Sequence, residues 1–420
     1  MKLFPFQAEG VAFLQSRHQA ILTDEMGLGK TIQALTALPP NASVLIVCPA
    51  SLKGNWFNEI EKWTDFAPEI LAGKGSFRWP TPGEALVTNF EILPASTLLP
   101  LDYPVHAIVD EAHALKNFKA QRTVNWRAIM RRILASKGST WLLTGTPIIT
   151  SPADLWGILQ SANLHKAAYG NWEIFREIWG GRYGAFEQIV WNPNAIKKSL
   201  AAEGLARVSF GRTRAEVLPQ LPAKRWIQIE VNVSKKVGRI DPGTMDALRL
   251  WASEDSPVKY LGEIARARKE LALAKAVEAQ NIIDTILDGG GGPLVVFSAH
   301  VGPVLKIGSR RGWVGITSAT PTAERAEIVA EFQRGKIAGI AGTIGAMGTG
   351  LTLTAAHRMI FIDLDFSPAI NAQAEDRINR IGQKNACEYI VLTAANSDVD
   401  TLINNSIIRK TQMIEATKGG

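Results

Sequence analysis

Short apolar runs and amphipathic stretches alternate along most of the chain. Ala20–Leu22, Val44–Cys48, Ala107–Val109 and Leu294–Phe297 are apolar without interruption, the pattern of strands covered on both faces. EALVTNFEIL (Glu84–Leu93), WLLTGTPI (Trp141–Ile148) and MIFIDLD (Met359–Asp365) predict three more strands. Helical stretches follow at Thr31–Leu38, between Asn117 and Lys137, and within Ile316–Gly335, where Thr320 and Pro321 suit a helix start. Strands alternating with helices predict an α/β fold.

Three other stretches set the organisation. Residues 151–210 predict an α-helical outgrowth whose aromatics, Trp156, Phe175 and Trp179 among them, are mostly core. LPQLPAK (Leu218–Lys224), with its two prolines, reads as the exit from a first lobe, dividing residues 1–222 from 223–420. Ser234–Leu287, rich in Ala, Leu, Lys and Glu, predicts a helical insertion in the second lobe. Near the end, QAEDRINRIGQ (Gln373–Gln383) predicts a helix that puts Arg377 and Arg380 on one face. A chain of 420 residues can bury two separate cores.

The chemistry concentrates between the first strand and its helix, in DEMGLGKT (Asp24–Thr31). Gly27 and Gly29 let the backbone turn so that its N–H groups face phosphate oxygens. Lys30 supplies positive charge, and the Thr31 hydroxyl can ligand Mg²⁺. Asp24 stands where the usual pattern has glycine. DEAH (Asp110–His113) directly follows the run Ala107–Val109. Asp110 there suits Mg²⁺ held through water, and Glu111 the polarising of an attacking water. Alone, the two motifs are a strand-to-helix turn and an acidic helix start; in this order and spacing they predict an ATPase. Upstream, the Gln7 carboxamide can accept from N6 and donate to N7 of adenine, and it is assigned to the base.

Composition narrows the class. Hydrophobic residues make up 46% and charged residues 20%, ordinary for a soluble globular protein. No uninterrupted apolar run reaches membrane-spanning length, and MKLFPFQAEG lacks the layout of a secretory signal. A cytoplasmic protein is expected, or a nuclear one in a eukaryote. Cys48 and Cys387, far apart in sequence, exclude a zinc cluster of the usual Cys-x-x-Cys kind and read as buried thiols in a reducing compartment. The net charge of +7 is shared between the halves and leans toward a polyanionic partner. One interval stands out: no acidic residue lies between Glu111 and Asp154, whereas Lys116, Lys119, Arg122, Arg127, Arg131, Arg132 and Lys137 do. It is either a solvated helix face or a nucleic-acid contact. Asn55-Trp56 likewise either touches a phosphate backbone or closes the domain, with Trp56 turned inward.

The order Gln7, DEMGLGKT, PASLKGNW, VTNFEIL, DEAHALKN, LLTGTPI, VVFSAH, GAMGTGLTLT and QAEDRINRIGQ resembles the motifs of the Swi/Snf-related ATPases, a branch of helicase superfamily two. The resemblance runs from about residue 3 to about residue 410. FREIWGGRYGAF, RTRAEVLPQLPAK and the RIGQ stretch look most like the annealing-helicase (HARP-like) subgroup. It implies two tandem RecA-like lobes, parallel sheets flanked by helices with helical insertions. It also implies a monomeric DNA-dependent ATPase, using ATP and Mg²⁺, that tracks along duplex or branched DNA for fork remodelling or strand annealing. An ATP-driven remover of DNA-bound proteins and an ATP-gated DNA clamp with little turnover are the alternatives.

Carried over by position, Asp24, Glu25, Met26, Gly27, Leu28, Gly29, Lys30, Thr31, Gln7 and Gly350 would bind ATP, with Thr31 and Asp110 on the metal. Lys30, Asp110 and Glu111 would carry hydrolysis, with Arg377 and Arg380 reaching from the second lobe as arginine fingers. DNA contacts would fall to Asn55, Thr88, Lys116, Asn117, Ser298 and Thr343, mostly at phosphates. The chain departs from the family at Gly211, where the first of two arginines is usual, and at Thr352, where asparagine is frequent.

Overall fold

The computed structural model describes residues 3–96, 102–145, 147–148, 151–184, 188–218, 224–234, 237, 261–347, 351–380, 382–395 and 397–415. Contacts divide the chain into two compact units, Met1–Arg182 with Trp191–Pro219 and Gln412–Gly420, and Tyr183–Val190 with Gln220–Thr411. Each holds a parallel sheet flanked by helices, the α/β class of a RecA-like lobe.

In the first unit the strands are β1 (Gln19–Leu22), β2 (Ser43–Cys48), β3 (Ala67–Ile70), β4 (Glu84–Asn89), β5 (Val105–Val109), β6 (Ser139–Leu143) and β9 (Ser209–Phe210), in the order β3-β4-β2-β5-β6-β1-β9. A small ribbon, β7 (Gly181–Tyr183) with β8 (Ile189–Trp191), stands apart. All pairings in the large sheet are parallel, so every strand's carboxyl end lies on one edge. Helices α1 (Pro5–Gln15), α2 (Lys30–Ala37), α3 (Lys53–Trp63) and α4 (Gln121–Ala135) cover it. Leu14, Ile46, Trp56, Ile60 and Leu143 share one apolar core. Within the outgrowth Trp156, Phe175 and Trp179 are buried, whereas Tyr183 is exposed; Phe186 lies outside the described residues.

In the second unit β10 (Lys224–Val231), β11 (Leu294–Ser298), β12 (Trp313–Ile316), β13 (Gly339–Thr343), β14 (Arg358–Phe361) and β15 (Cys387–Ala394) form a six-stranded parallel sheet ordered β10-β15-β14-β11-β13-β12. The helix Leu261–Asp288 fills the described part of the expected insertion, and residues 238–260 lie outside the description. The predicted helix over Gln373–Gln383 is corrected: the observed helix runs Pro368–Glu375 and ends before both arginines. The chain there turns to meet its neighbours, with Leu353 N–H bonded to the Arg377 carbonyl (2.8 Å), and this long-range pairing displaces the next helical turn. Cys48 and Cys387 are buried free thiols. No described helix is long and apolar enough to cross a membrane.

Candidate nucleotide site

The strand order β5-β6-β1 decides which motifs meet. The phosphate loop leaves β1 and DEAH leaves β5, one strand apart on the same edge, about 10 Å at the usual strand spacing. β6 between them delivers Gly145, where an added Cβ would sit 2.7 Å from the Met26 side chain and 3.3 Å from Lys30 Nζ.

Gly27 and Gly29 both adopt positive φ (84° and 78°), the left-handed conformation that the tight turn demands. Lys30 opens α2 and folds its ammonium back onto the Asp24 carbonyl (2.7 Å) and the Glu25 carbonyl (3.4 Å). Burial lowers its pKa, against the pull of the Glu111, Asp24 and Asp110 charges. Gln7 is buried in α1. Its Oε1 accepts from Phe4 N–H (3.1 Å) and its Nε2 donates to the Leu28 carbonyl (3.3 Å), so the adenine candidate is bonded to the phosphate loop itself.

At DEAH, Asp110 Oδ1 accepts from Glu111 N–H (2.9 Å) and Oδ2 from the Trp56 indole N–H (2.9 Å). Burial, then the neighbouring Glu111 charge, pushes its pKa up to about 6. Glu111 holds a left-handed backbone (φ 50°), unusual for a residue with a side chain and of the strained kind that gathers at functional sites. Its Oε2 lies 3.2 Å from His113 Nδ1. Among the described residues no three or more His, Cys, Asp or Glu side chains cluster to cage a metal. One carboxylate and one hydroxyl at this edge instead suit Mg²⁺, which keeps waters and takes phosphate oxygens as further ligands.

Four residues of this site had no role there on sequence alone. Trp56 is fully buried and ties α3 to Asp110. Arg212 closes on the fully buried Asp24 through Nε (3.0 Å) and Nη2 (2.7 Å), and Gln33 donates to the same carboxylate (2.9 Å). Arg214 bonds the Met26 carbonyl through Nε (2.7 Å). The signal for the two arginines was present only as the RTR spacing after β9.

The DNA candidates scatter. Asn55 and Asn117 are exposed, and Lys116 pairs with Asp154 at 3.4 Å. Thr88 is fully buried. In the second unit Ser298 and Thr343 are register partners on β11 and β13. Ser298 is fully buried, donating to Asp363 and accepting from His300 N–H (3.0 Å). Arg377 and Arg380 converge on one segment, Arg377 Nη1 on the Leu351 carbonyl (3.1 Å) and Arg380 Nη1 on Thr352 Oγ1 (3.0 Å). Thr352 thus accepts from an arginine at a position where asparagine is frequent. Gly350 lies outside the described residues.

The profile of the SNF2-related domain matches residues 6–240, more than half of the chain, and that of the helicase conserved C-terminal domain matches residues 282–382. The chain belongs to the SNF2-related family. It is a helicase-like ATPase, and the site above is where a phosphate loop and DEAH share a sheet edge. Human "DNA annealing helicase and endonuclease ZRANB3" is 29% identical over 445 residues, spanning 100% of this chain and 40% of that protein. A Caenorhabditis elegans "SWI/SNF-related matrix-associated actin-dependent regulator of chromatin subfamily A-like protein 1 homolog" is 30% identical, spanning 98% of this chain and 61% of the relative. The chain therefore spans less than two thirds of the length of each of these relatives. The solved "Sulfolobus solfataricus SWI2/SNF2 ATPase core in complex with dsDNA" is 20% identical with a TM-score of 0.45, covering 94% of this chain and 89% of that one. In this SNF2-related chain Gly211 has a steric cause: a Cβ there would lie 2.2 Å from Thr23 Oγ1, so no arginine fits without moving β1's exit.

Proposed function

We propose that the chain is a motor that uses ATP hydrolysis to translocate along duplex or branched DNA, with fork remodelling or strand annealing as its use. Lys30 and the loop amides hold the phosphates, Gln7 meets the adenine, and Thr31 and Asp110 hold Mg²⁺. A Mg²⁺ ion held there would supply positive charge to the phosphates. Glu111 orients the attacking water. Arg377 and Arg380 supply charge to the transferring phosphoryl group.

The observation that carries the DNA half is α4, which follows DEAH after a short turn. Arg122, Arg131 and Arg132 on it are exposed, as are Lys119 before it and Lys137 after it, and none has an acidic partner within ion-pair distance among the described residues. Arg127 lies 4.0 Å from the Phe118 ring centre, and burial together with the Arg131 charge lowers its pKa. Unneutralised cations set side by side repel one another, and phosphates relieve that repulsion. The names of the relatives, an annealing helicase and a regulator of chromatin, point the same way.

The test is ATPase rate with single-stranded, duplex and forked DNA. Stimulation by duplex and forked DNA is expected. A rate indifferent to all three would overturn the motor.

A further inference from the structure

β9 pairs with β1 in the register Leu22↔Phe210, and the pairing continues past both strands. Thr23 N–H donates to the Phe210 carbonyl (2.7 Å) and Glu25 N–H to the Arg212 carbonyl (2.9 Å). Gly211 and Arg212 thus run beside the phosphate loop as a continuation of the strand pairing, and Arg214 opens a short helix, Arg214–Val217, capped by Thr213. Arg214 then reaches across: its backbone N–H donates to Glu25 Oε2 (2.8 Å), and Nε and Nη2 both donate to the Met26 carbonyl. The side chain is almost wholly buried, and its Nη2 would lie 3.2 Å from a Cβ at Gly27.

A trans peptide points its C=O and its N–H to opposite sides. Holding the Met26 carbonyl toward Arg214 therefore turns the Gly27 N–H to the far side of the loop. The Leu28 carbonyl is held in the same manner by Gln7 (3.3 Å) and Gln33 (3.2 Å), which turns the Gly29 N–H away from them. Neither glycine N–H has a hydrogen-bond partner among the described residues. Two side-chain clamps thus leave two amides free in a loop whose Asp24 and Glu25 carbonyls are taken by Lys30.

We propose that Arg214 is a positioning residue for phosphate: by holding the Met26 carbonyl it presents the Gly27 N–H to the bound nucleotide, and it does no chemistry itself. This rests on reading Asp24–Thr31 as the phosphate loop. Arg214 also stands five residues before Pro219, where the chain leaves the first unit, so the part that shapes the loop and the part that leads out share one short segment.

The test measures affinity for Mg·ADP, inorganic pyrophosphate and adenosine in the parent chain, Arg214→Ala and Arg214→Lys. Loss of a charge-assisted hydrogen bond that orients a ligand-binding amide weakens binding about tenfold or more. Arg214→Ala is expected to lose that much for Mg·ADP and pyrophosphate and to keep adenosine within about twofold. Arg214→Lys is expected to recover most of the loss, because an ammonium still reaches the Met26 carbonyl. In turnover the KM for ATP rises by the same factor, with kcat changed much less. Unchanged Mg·ADP affinity in Arg214→Ala would overturn the proposal. So would equal loss for all three ligands without rescue by lysine, the mark of a merely structural residue. A parent chain that bound neither Mg·ADP nor pyrophosphate would remove the phosphate-loop reading beneath it as well.

Discussion

Two cation-rich regions of the first unit behave in opposite ways. Around the phosphate loop every cation is bound within the protein: Lys30 to two carbonyls, Arg212 to Asp24, Arg214 to the Met26 carbonyl. Along α4 the exposed arginines have no acidic partner among the described residues. The first arrangement fixes geometry before a ligand arrives, since a buried donor must be satisfied and each bond made fixes an angle. The second fixes nothing and leaves charge for whatever comes. A site that must align atoms for chemistry needs the former. A surface that must slide along a repeating polyanion is served by the latter, because contacts that position without specifying let the ligand move.

Substitutions tell the two arrangements apart. The largest effect is expected in the second unit, where Arg380 is also held by an internal acceptor. Arg380→Ala should leave nucleotide affinity near the parent's while DNA-stimulated hydrolysis falls by about 10³–10⁵, the usual worth of an arginine at a transferring phosphoryl group. Arg377→Ala should act alike. A double variant whose hydrolysis still rose on adding duplex DNA would make both residues structural.

Lys30→Ala comes next, with hydrolysis reduced by about 10²–10³ as for removal of one donor to transition-state charge. DNA binding by the same variant, read by fluorescence anisotropy, should stay near the parent's. Loss of both together would merge the two regions that the comparison separates.

A smaller effect is expected at Trp56→Phe, which keeps most of the buried ring and deletes the indole N–H to Asp110. Losing a hydrogen bond to a carboxylate costs about 1.5–3 kcal/mol. Turnover at saturating ATP should fall about tenfold or more by that measure, and the Mg²⁺ concentration for half-maximal rate should rise. An unaltered Mg²⁺ dependence would limit Trp56 to packing.

The smallest effect on chemistry is expected from α4. In Arg131→Ala/Arg132→Ala, basal hydrolysis without DNA should match the parent's. The slope of log affinity for duplex DNA against log salt should shrink by up to about 2, near 0.9 for each phosphate contact removed. An unchanged slope would return α4 to a solvated face.

Much of the fold was legible because its signals are local. Uninterrupted apolar runs marked β1, β2, β5 and β11, and the glycines of DEMGLGKT announced positive φ where the turn has it. β13 escaped notice because Gly339 and Gly342 break its apolar pattern. Only the folded chain supplies their reason, since an added Cβ would enter the Trp313 ring at one and the Met347 side chain at the other. The QAEDRINRIGQ stretch was misjudged in the same sense: its spacing suits a helix, yet contacts with Leu351–Leu353 end that helix at Glu375.

The class of fold and the motifs of the candidate nucleotide site can be read along the chain, because turn geometry, strand patterning and motif chemistry depend on neighbours a few positions away. Tertiary structure alone decided which partners hold those residues in place. Trp56 meets Asp110 across 54 positions and Arg214 meets Met26 across 188, through the pairing of β2 with β5 and of β1 with β9. No periodicity encodes such a meeting; it arises because parallel strands bring their carboxyl ends to one edge, whatever length of chain lies between them.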